Sequence, residues 1–224
     1  MSIKGLAPVP RHKTLAEDTY DRLRSAIMTG AVRPGEKISA RSVADSAQVS
    51  FTPAREAIGR LISEGALELV GPKTIIVPQL SLQSLSEIYK IRINVEVMAA
   101  EIATPNMTRS LIFKLEETQD ELETLRKLDS YQASLELNEQ FHFLIYKACN
   151  MPRLIAIIES LWLQVGPSFN FLLTPDSLPE DPIGYHRTMI EGLKNNNPKQ
   201  VSDAICADLE FGFQRLKDLI QSME

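Results

Sequence analysis

Apolar residues recur three and four positions apart through the first part of the chain, a spacing that predicts short amphipathic helices. The first such helix spans Leu15–Thr29 and ends at Gly30. A second begins after Ser39 and a third, longer one after Ser50, because serine favours the N-cap position. Apolar residues at helical spacing form one face of the third helix, namely Ala54, Ile58, Leu61 and Ile62. The last two helices are separated by a tight turn at Gln48–Ser50.

After the third helix the pattern changes to two short apolar runs around a turn. Ala66–Val70 and Thr74–Val77 are predicted strands, and a turn at 71–73 separates them. Two helices about a tight turn, followed by a small hairpin, make a winged helix-turn-helix. We therefore predict this domain at residues 15–78, preceded by a flexible arm at residues 1–14.

From Leu82 onward the pattern predicts helices and no strand. Segments rich in proline and asparagine separate the predicted helices, which are Gln83–Ala103, Thr108–Leu128, Tyr131–Cys149, Pro152–Leu172, Pro182–Asn195 and Pro198–Ser222. About six helices of this length predict an antiparallel all-α bundle over residues 79–224, large enough to enclose a cavity. The predicted fold class is mainly α, with an N-terminal winged helix-turn-helix and a C-terminal helical bundle.

The second helix of a helix-turn-helix enters the major groove of DNA by its N-terminal end. In this chain that end would present Ser50, Phe51, Thr52 and Arg55. The alternative interpretation is a small helical subdomain with an incidental basic edge, since short helix pairs are common.

Charge is divided unevenly along the 224 residues. Residues 1–78 hold 11 Lys or Arg against 8 Asp or Glu, whereas residues 79–224 hold 13 against 21. A basic first part and an acidic second part fit a nucleic-acid surface followed by a body that avoids DNA. The two cysteines, Cys149 and Cys206, lack a CxxC spacing and indicate a reducing compartment. Without an apolar run of about 20 residues or a signal pattern, we expect a cytoplasmic protein with no membrane span.

Polar residues interrupt the apolar faces of four bundle helices. They are Arg92, then Asn138 and His142 four positions apart, then His186 and Asp208. Because buried polar groups need partners, these residues predict one polar cavity inside the bundle. Two imidazoles, one carboxylate and one amide oxygen suit a divalent transition metal. The plainer alternatives are core histidines that are only hydrogen-bonded, and an Arg92 that pairs with a glutamate one turn on, Glu96.

The segment Tyr20–Val77 resembles the winged-helix domain of the GntR family of bacterial transcription regulators. The resemblance rests on Leu23-x-x-x-Ile27-x-x-Gly30, Pro34–Gly35, Ser50-x-Thr52-Pro53-x-Arg55-Glu56-Ala57-Ile58, Leu61 and Glu64–Gly65. It implies that Arg41, Ser50, Thr52 and Arg55 contact DNA and that Lys73 lies at the wing tip. Two positions depart from the family, since Phe51 stands where Arg is usual and Thr74 where Gly is usual. Phenylalanine can touch a thymine methyl but cannot bind guanine, so we expect a different operator.

The bundle resembles the FCD effector-binding domain of the FadR-like subgroup of this family, over most of Leu82–Ser222. The resemblance rests on Ile91–Arg92-x-x-x-Glu96, Asn138-x-x-Phe141–His142, Ala148-x-Asn150 and His186-x-x-Met189–Ile190. Many members hold a metal with one Asp and three His, at positions that here are Asn138, His142, His186 and Asp208. Other relatives bind an effector without metal.

The resemblance therefore implies one divalent metal such as zinc or nickel, or none. Glu139 is an alternative ligand to Asn138, because it also lies one turn before His142. The resemblance also implies that Arg92 meets the carboxylate of an organic-acid effector.

We expect a transcription regulator that binds double-stranded operator DNA as a homodimer and responds to a small carboxylate effector. Residues 79–224 would bind the effector and hold the dimer together. Two other classes remain open. A metal-dependent enzyme would use His142, His186 and Asp208 to activate water, although no other acid–base constellation accompanies them. An interaction module would retain the pocket without using it.

Overall fold

A computed structural model describes residues 13–72, 74–128, 130–172 and 182–223. Most of the predicted arm at residues 1–14 and the wing-tip Lys73 lie outside these ranges. The winged-helix domain contains three helices and three short strands, which are α1 Leu15–Met28, β1 Lys37–Ile38, α2 Ala40–Ala47, α3 Phe51–Ser63, β2 Glu68–Leu69 and β3 Ile75–Ile76.

The helix starts follow the capping residues. Thr14 caps α1, and Ser39 caps α2 by accepting a hydrogen bond from the amide of Ser42. Ser50 occupies the N-cap of α3 as predicted, but its side chain makes no capping hydrogen bond. Pro53 at the third position of the helix has no N–H, which removes one of the two amides that an N-cap side chain usually accepts from. The Ser50 hydroxyl is therefore left available at the helix end.

The three strands form one small antiparallel sheet with the order β1-β3-β2. The hairpin of β2 and β3 was predicted, although each strand is shorter than the apolar run that contains it. Strand β1 was not predicted, because two residues are too few to show an alternating pattern. It is extended by the Gly35 amide, which donates to the Val77 carbonyl at 2.8 Å, with Gly35 at a φ of 80°.

The bundle contains six α-helices among the described residues. They are α4 Leu82–Ala103, α5 Arg109–Lys127, α6 Tyr131–Lys147, α7 Pro152–Val165, α8 Pro182–Lys194 and α9 Pro198–Met223. The predicted helix Pro152–Leu172 was wrong in its second part, where α7 ends and a 3-10 helix covers Gly166–Leu172. Pro167 lacks the N–H that an α-helix needs at that position, so the chain tightens. None of the described helices is long and apolar enough to cross a membrane.

The winged-helix domain rests on the bundle through α1 and the end of α7. The guanidinium of Arg24 lies 3.5 Å from the carboxylate of Glu159. Gly166 approaches the end of α1 so closely that a Cβ there would lie 2.7 Å from the carbonyl oxygen of Met28. One apolar cluster continues across this contact, from Ile27 in α1 to Ile158 in α7. The two parts therefore share packing as well as the short connection at 78–81.

Candidate functional site

The first surface of interest is the N-terminal end of α3. Gln48 adopts a left-handed conformation with a φ of 56°, which ends α2 and turns the chain into α3. The side chains predicted to contact DNA are all exposed, namely Arg41, Ser50, Phe51, Thr52 and Arg55. The Phe51 ring, more than half exposed at 54%, is a large apolar group to leave in water.

Neither Arg41 nor Arg55 forms an ion pair with a described residue. The Arg55 guanidinium lies 5.8 Å from the centre of the Phe51 ring, so the two side chains lie side by side at the helix end. The amides of the first helical turn have no partner one turn earlier, and such amides bind phosphate oxygens well. This end of α3 thus offers cations, amides, a hydroxyl and an apolar ring to an outside partner.

The second site is a cavity of about 150 Å³ lined by residues of α4, α5, α6, α7 and α9 and by Phe169 of the 3-10 helix. Four of the residues predicted from polar positions on apolar faces, Arg92, Asn138, His142 and Asp208, line it. The fifth, His186 on α8, lies directly behind His142 and is buried. The structure therefore brings all five predicted residues to one end of one cavity.

Three ligand atoms meet at this end. Nε2 of His142 lies 3.2 Å from Nε2 of His186 and 3.3 Å from a carboxylate oxygen of Asp208. All three residues have a ligand atom within 4.8 Å of the other two. Ligands bound at about 2.1 Å to one zinc ion lie about 3.0 to 3.4 Å apart, so two of these distances already match a shared metal.

Neighbouring side chains determine which nitrogen of each imidazole carries the proton. Gln119 donates its amide to Glu123, so its oxygen faces Nδ1 of His186 at 2.7 Å and accepts a proton from it. The Tyr146 hydroxyl donates to Glu96 at 2.6 Å, so its oxygen accepts from Nδ1 of His142 at 3.2 Å. Both imidazoles are thereby held with Nε2 as the atom that carries a lone pair.

Two lone pairs and a carboxylate oxygen that face one another repel unless a cation lies among them. Burial lowers the pKa of His186 to about 3, with the neighbouring His142 as the next cause, so a proton on His186 is strongly disfavoured. The group thus has the donor atoms, orientation and charge that suit a divalent metal.

Arg92 forms the ion pair with Glu96 that was one of the two interpretations of its position. Its Nε donates to Glu96 at 2.6 Å, and its guanidinium lies 4.7 Å from the centre of the Trp162 ring. Glu96, with no exposed surface, also accepts from the Trp162 indole at 3.1 Å and from Tyr146. The charge of Arg92 is therefore already balanced before any effector arrives.

The alternative ligand Glu139 does not belong to the group of three. Asn138 and His142 share one face of α6 because they are four residues apart, whereas Glu139 is turned by about 100°. Burial raises the pKa of Glu139, and the charges that lower it belong to Arg24 and Lys147. Glu139 therefore faces the contact with the winged-helix domain and not the cavity.

Sequence reasoning missed Gln119, which orients His186, and Tyr146, which orients His142. The role of Gln119 could have been noticed in the sequence, because this polar residue interrupts the buried face of α5 between Leu115 and Leu122. Tyr146 had a weaker one, being four residues after His142, but tyrosine is common on apolar faces. It also missed Arg126, which lines the cavity from α5.

The sequence matches two family descriptions. Residues 15–77 match "Bacterial regulatory proteins, gntR family", and residues 87–211, more than half of the chain, match the FCD domain. The HTH-type transcriptional regulator McbR of Escherichia coli K12 is 31% identical over 179 residues, covering 79% of this chain and 81% of its own. The HTH-type transcriptional regulator YdhC of Bacillus subtilis is 26% identical over 207 residues, covering 90% and 91%.

Solved structures agree with the whole arrangement. The structure of E. coli McbR/YncC superposes with a TM-score of 0.85 at 25% identity, covering 95% of this chain and all of that one. A GntR regulator from Rhodococcus sp. RHA1 superposes with a TM-score of 0.74 at 18% identity, covering 90% and 96%, which supports the fold alone. The mainly α fold, with a winged helix before a helical bundle, is thus confirmed.

Proposed function

We propose, since the chain belongs to the gntR family of bacterial regulatory proteins and carries an FCD domain, that a small organic acid in the bundle controls how it binds operator DNA. The role of DNA-binding transcription regulator follows from the family. The observation that carries the proposal is the contrast between two sites, an exposed end of α3 whose arginines form no ion pair with a described residue, and a cavity inside the bundle that is lined by polar side chains at His142 and Asp208.

At the DNA, we assign base contacts to the N-terminal end of α3. Arg55 would bind a guanine edge, Thr52 and Ser50 would hydrogen-bond bases or phosphates, and Arg41 would hold the backbone. Phe51 would contact a thymine methyl, because its exposed ring offers only an apolar surface. Lys73 would add a phosphate contact from the wing.

Two copies of the chain would bind one operator. A single winged helix contacts only a few base pairs, so useful specificity needs two half-sites about one helical turn apart. The bundle supplies a suitable face, because Ile91, Met98 and Ile102 are exposed on α4 and lie seven and four residues apart, on one side of the helix. We expect the full chain to sediment as a dimer, and residues 79–224 as well if that part holds the copies together.

In the cavity, His142, His186 and Asp208 would hold a divalent ion such as zinc or nickel, with Asn138 beside them as a weaker oxygen donor. The bound metal would polarise and hold the carboxylate of an effector. Signal transfer has a short route, because Trp162 lines the cavity and Glu159, one turn earlier on α7, contacts Arg24 of α1. An effector that prefers one position of α7 would shift the winged helices.

Selection from random DNA tests the regulatory proposal directly. The purified chain should enrich a pseudo-palindrome with half-sites about 10 base pairs apart. Addition of an effector should change the affinity for that site while random DNA is bound as before. If no sequence is enriched, or only an isolated half-site, the proposed mode of binding is wrong.

The metal is tested by melting Asn138→Asp and the parent chain in zinc and in chelator. An anionic oxygen binds a dication better than a neutral amide, so the variant should be the more stable protein in zinc. In chelator it should be the less stable one, because a carboxylate is then left in the cavity. His142→Ala, which removes one imidazole, should abolish the response to zinc. If neither protein responds to zinc, the metal is excluded from the proposal.

A further inference from the structure

Three arginines line the cavity, but only Arg92 forms an ion pair with a described residue. Arg92 is paired with Glu96, as described above. Arg126 has two acidic neighbours, Asp208 and Glu123, but it forms an ion pair with neither of them. Asp208 faces His142 at 3.3 Å, and Glu123 accepts from Arg187 at 2.7 Å. Among the described residues, Arg126 therefore makes no ion pair or hydrogen bond of its own.

The third arginine in the lining, Arg215, is a second positive charge without an acidic partner among the described residues. Arg215 lies 5.7 Å from the centre of the Phe211 ring, and no acidic side chain of the described residues offsets its burial. Burial lowers the pKa of both Arg126 and Arg215, although a guanidinium remains charged at any ordinary pH. Charge that is partly desolvated and unpaired is costly, and an anion in the cavity would relieve that cost.

Away from these arginines and from the polar group of Asn138, His142 and Asp208, the cavity lining is mainly apolar. Leu85 and Ile88 of α4 face Val165 and Leu216, which belong to one apolar cluster. The Tyr89 ring stacks on Phe213 with 4.3 Å between ring centres. The cavity volume of about 150 Å³ equals that of an apolar cavity known to hold benzene. This volume suits one ring or a short branched chain beside an acidic group.

Gly212 creates part of this space. It lies inside the 26-residue helix α9, where glycine is less favourable than alanine. It lines the cavity, and among the described residues no atom outside the neighbouring backbone of α9 lies within 4 Å of the position that its Cβ would take. Close packing therefore does not explain the glycine, whereas room for a ligand does.

We propose that the cavity binds an amphiphilic organic anion, with its acidic group at Arg126 and its ring or short hydrocarbon part in the space beside Gly212. This inference rests on the proposed function, since the anion would be the effector. The sequence predicted that Arg92 binds the acidic group of the effector, but Arg92 is already paired with Glu96. The inference therefore assigns this binding to Arg126. Gly212 then sets the size of the apolar part that is accepted.

Trp162, the single tryptophan of the chain, lines the cavity and reports binding by its fluorescence. Benzoate should quench it saturably, while benzamide, the neutral molecule of the same shape, and acetate, the anion without a ring, should each bind at least about tenfold more weakly. Arg126→Gln should weaken benzoate by at least about tenfold and leave benzamide unchanged. The titrations are repeated with zinc and with chelator.

Gly212→Leu should abolish benzoate binding by filling the space. Gly212→Ala should weaken it less while raising the melting temperature by about 2 to 4 °C, because alanine favours the helix. Gly59→Ala is the matched control. Its Cβ would also meet no described atom within 4 Å beyond its own helical backbone, but Gly59 lies in α3, away from the cavity. It should stabilise the protein without changing benzoate binding.

Absent benzoate binding, equal binding of benzamide, or an unchanged affinity in Arg126→Gln would each overturn the inference. Binding that needs zinc and ignores Arg126 would overturn it too, because the metal would then be the anchor. Operator selection by the same preparation separates the two proposals. A normal operator with failed benzoate binding refutes the inference alone, whereas benzoate binding without any selected operator refutes only the regulatory proposal.

Discussion

The two sites of this protein treat polar side chains in opposite ways. At the end of α3, Arg55 and Arg41 are exposed and make no ion pair within the described residues, and the Phe51 ring is 54% exposed. In the bundle, Glu96 has no exposed surface and accepts hydrogen bonds from Arg92, Tyr146 and Trp162. The side chains at the end of α3 are free to bind an outside partner, whereas most polar side chains around Glu96 are hydrogen-bonded to one another.

Solvent explains this difference between the exposed and the buried polar groups. Water satisfies the exposed groups until DNA replaces it, so the fold does not depend on them. Buried groups have no water to fall back on, and the bundle must satisfy them whether or not an effector is bound. Loss of an exposed side chain at the N-terminal end of α3 should therefore change DNA binding alone, while loss of a buried cavity side chain should change stability first.

The largest expected effect is from Glu96→Gln, which leaves the buried guanidinium of Arg92 without its counter-charge. We expect the free energy of unfolding to fall by about 3–5 kcal/mol. Urea unfolding of the variant and of Glu101→Gln, a neutralised glutamate exposed on the same helix, provides the comparison. The control should stay within about 0.5 kcal/mol of the parent.

The double variant Arg92→Met/Glu96→Gln sharpens this result. Removing both charges should restore part of the stability, because the uncompensated buried charge is gone. A double variant less stable than Glu96→Gln would show that packing, and not charge, governs this part of the cavity.

The contact between the two regions is tested by Gly166→Ala. The new Cβ would lie 2.7 Å from the carbonyl oxygen and 2.8 Å from the Cα of Met28, both backbone atoms that cannot rotate away. We expect a loss of about 1–3 kcal/mol, as for other overpacked sites. Differential scanning calorimetry should show the winged-helix domain melting earlier than the bundle. A single unchanged transition would mean that α1 moves away at no cost.

Arg55→Ala should leave stability within about 0.5 kcal/mol of the parent, since the side chain is exposed and unpaired. Operator binding should weaken by about 1–3 kcal/mol if Arg55 binds a guanine edge. Titration of the selected operator and of random DNA measures both. An equal loss on the two DNAs would assign Arg55 to the phosphate backbone instead.

Much of the fold was predictable because periodicity reports which face of a helix is buried. All six bundle helices were predicted, and the error at the end of α7 arose from Pro167, whose effect on the α-helix was overlooked. Strand β1 exists only because Ile38 pairs with Ile75, far along the chain. Such a pairing leaves no local pattern, so a sequence cannot display it.

The candidate site, like the fold, could be predicted in part. His142, His186 and Asp208 could be found because polar groups on apolar faces must converge on partners. The distinction between Arg92 and Arg126 could not be found, since it depends on which acidic side chains are already engaged. Glu139 shows a further limit, because one residue along a helix changes the face and hence the partner.

The smallest expected change in stability comes from Phe51→Arg, which places the residue usual in the family at an exposed position. We expect the free energy of unfolding to stay within about 0.5 kcal/mol of the parent, because the Phe51 ring is mostly exposed and lies beside the Arg55 side chain. The preferred operator should nevertheless change, because arginine binds the two acceptors of guanine, whereas phenylalanine contacts only the methyl of thymine. Selection from random DNA with both proteins should return sites that differ at one symmetric position, thymine for the parent and guanine for the variant. The same site for both would show that position 51 contacts no base. The exposed ring would then need another partner than DNA.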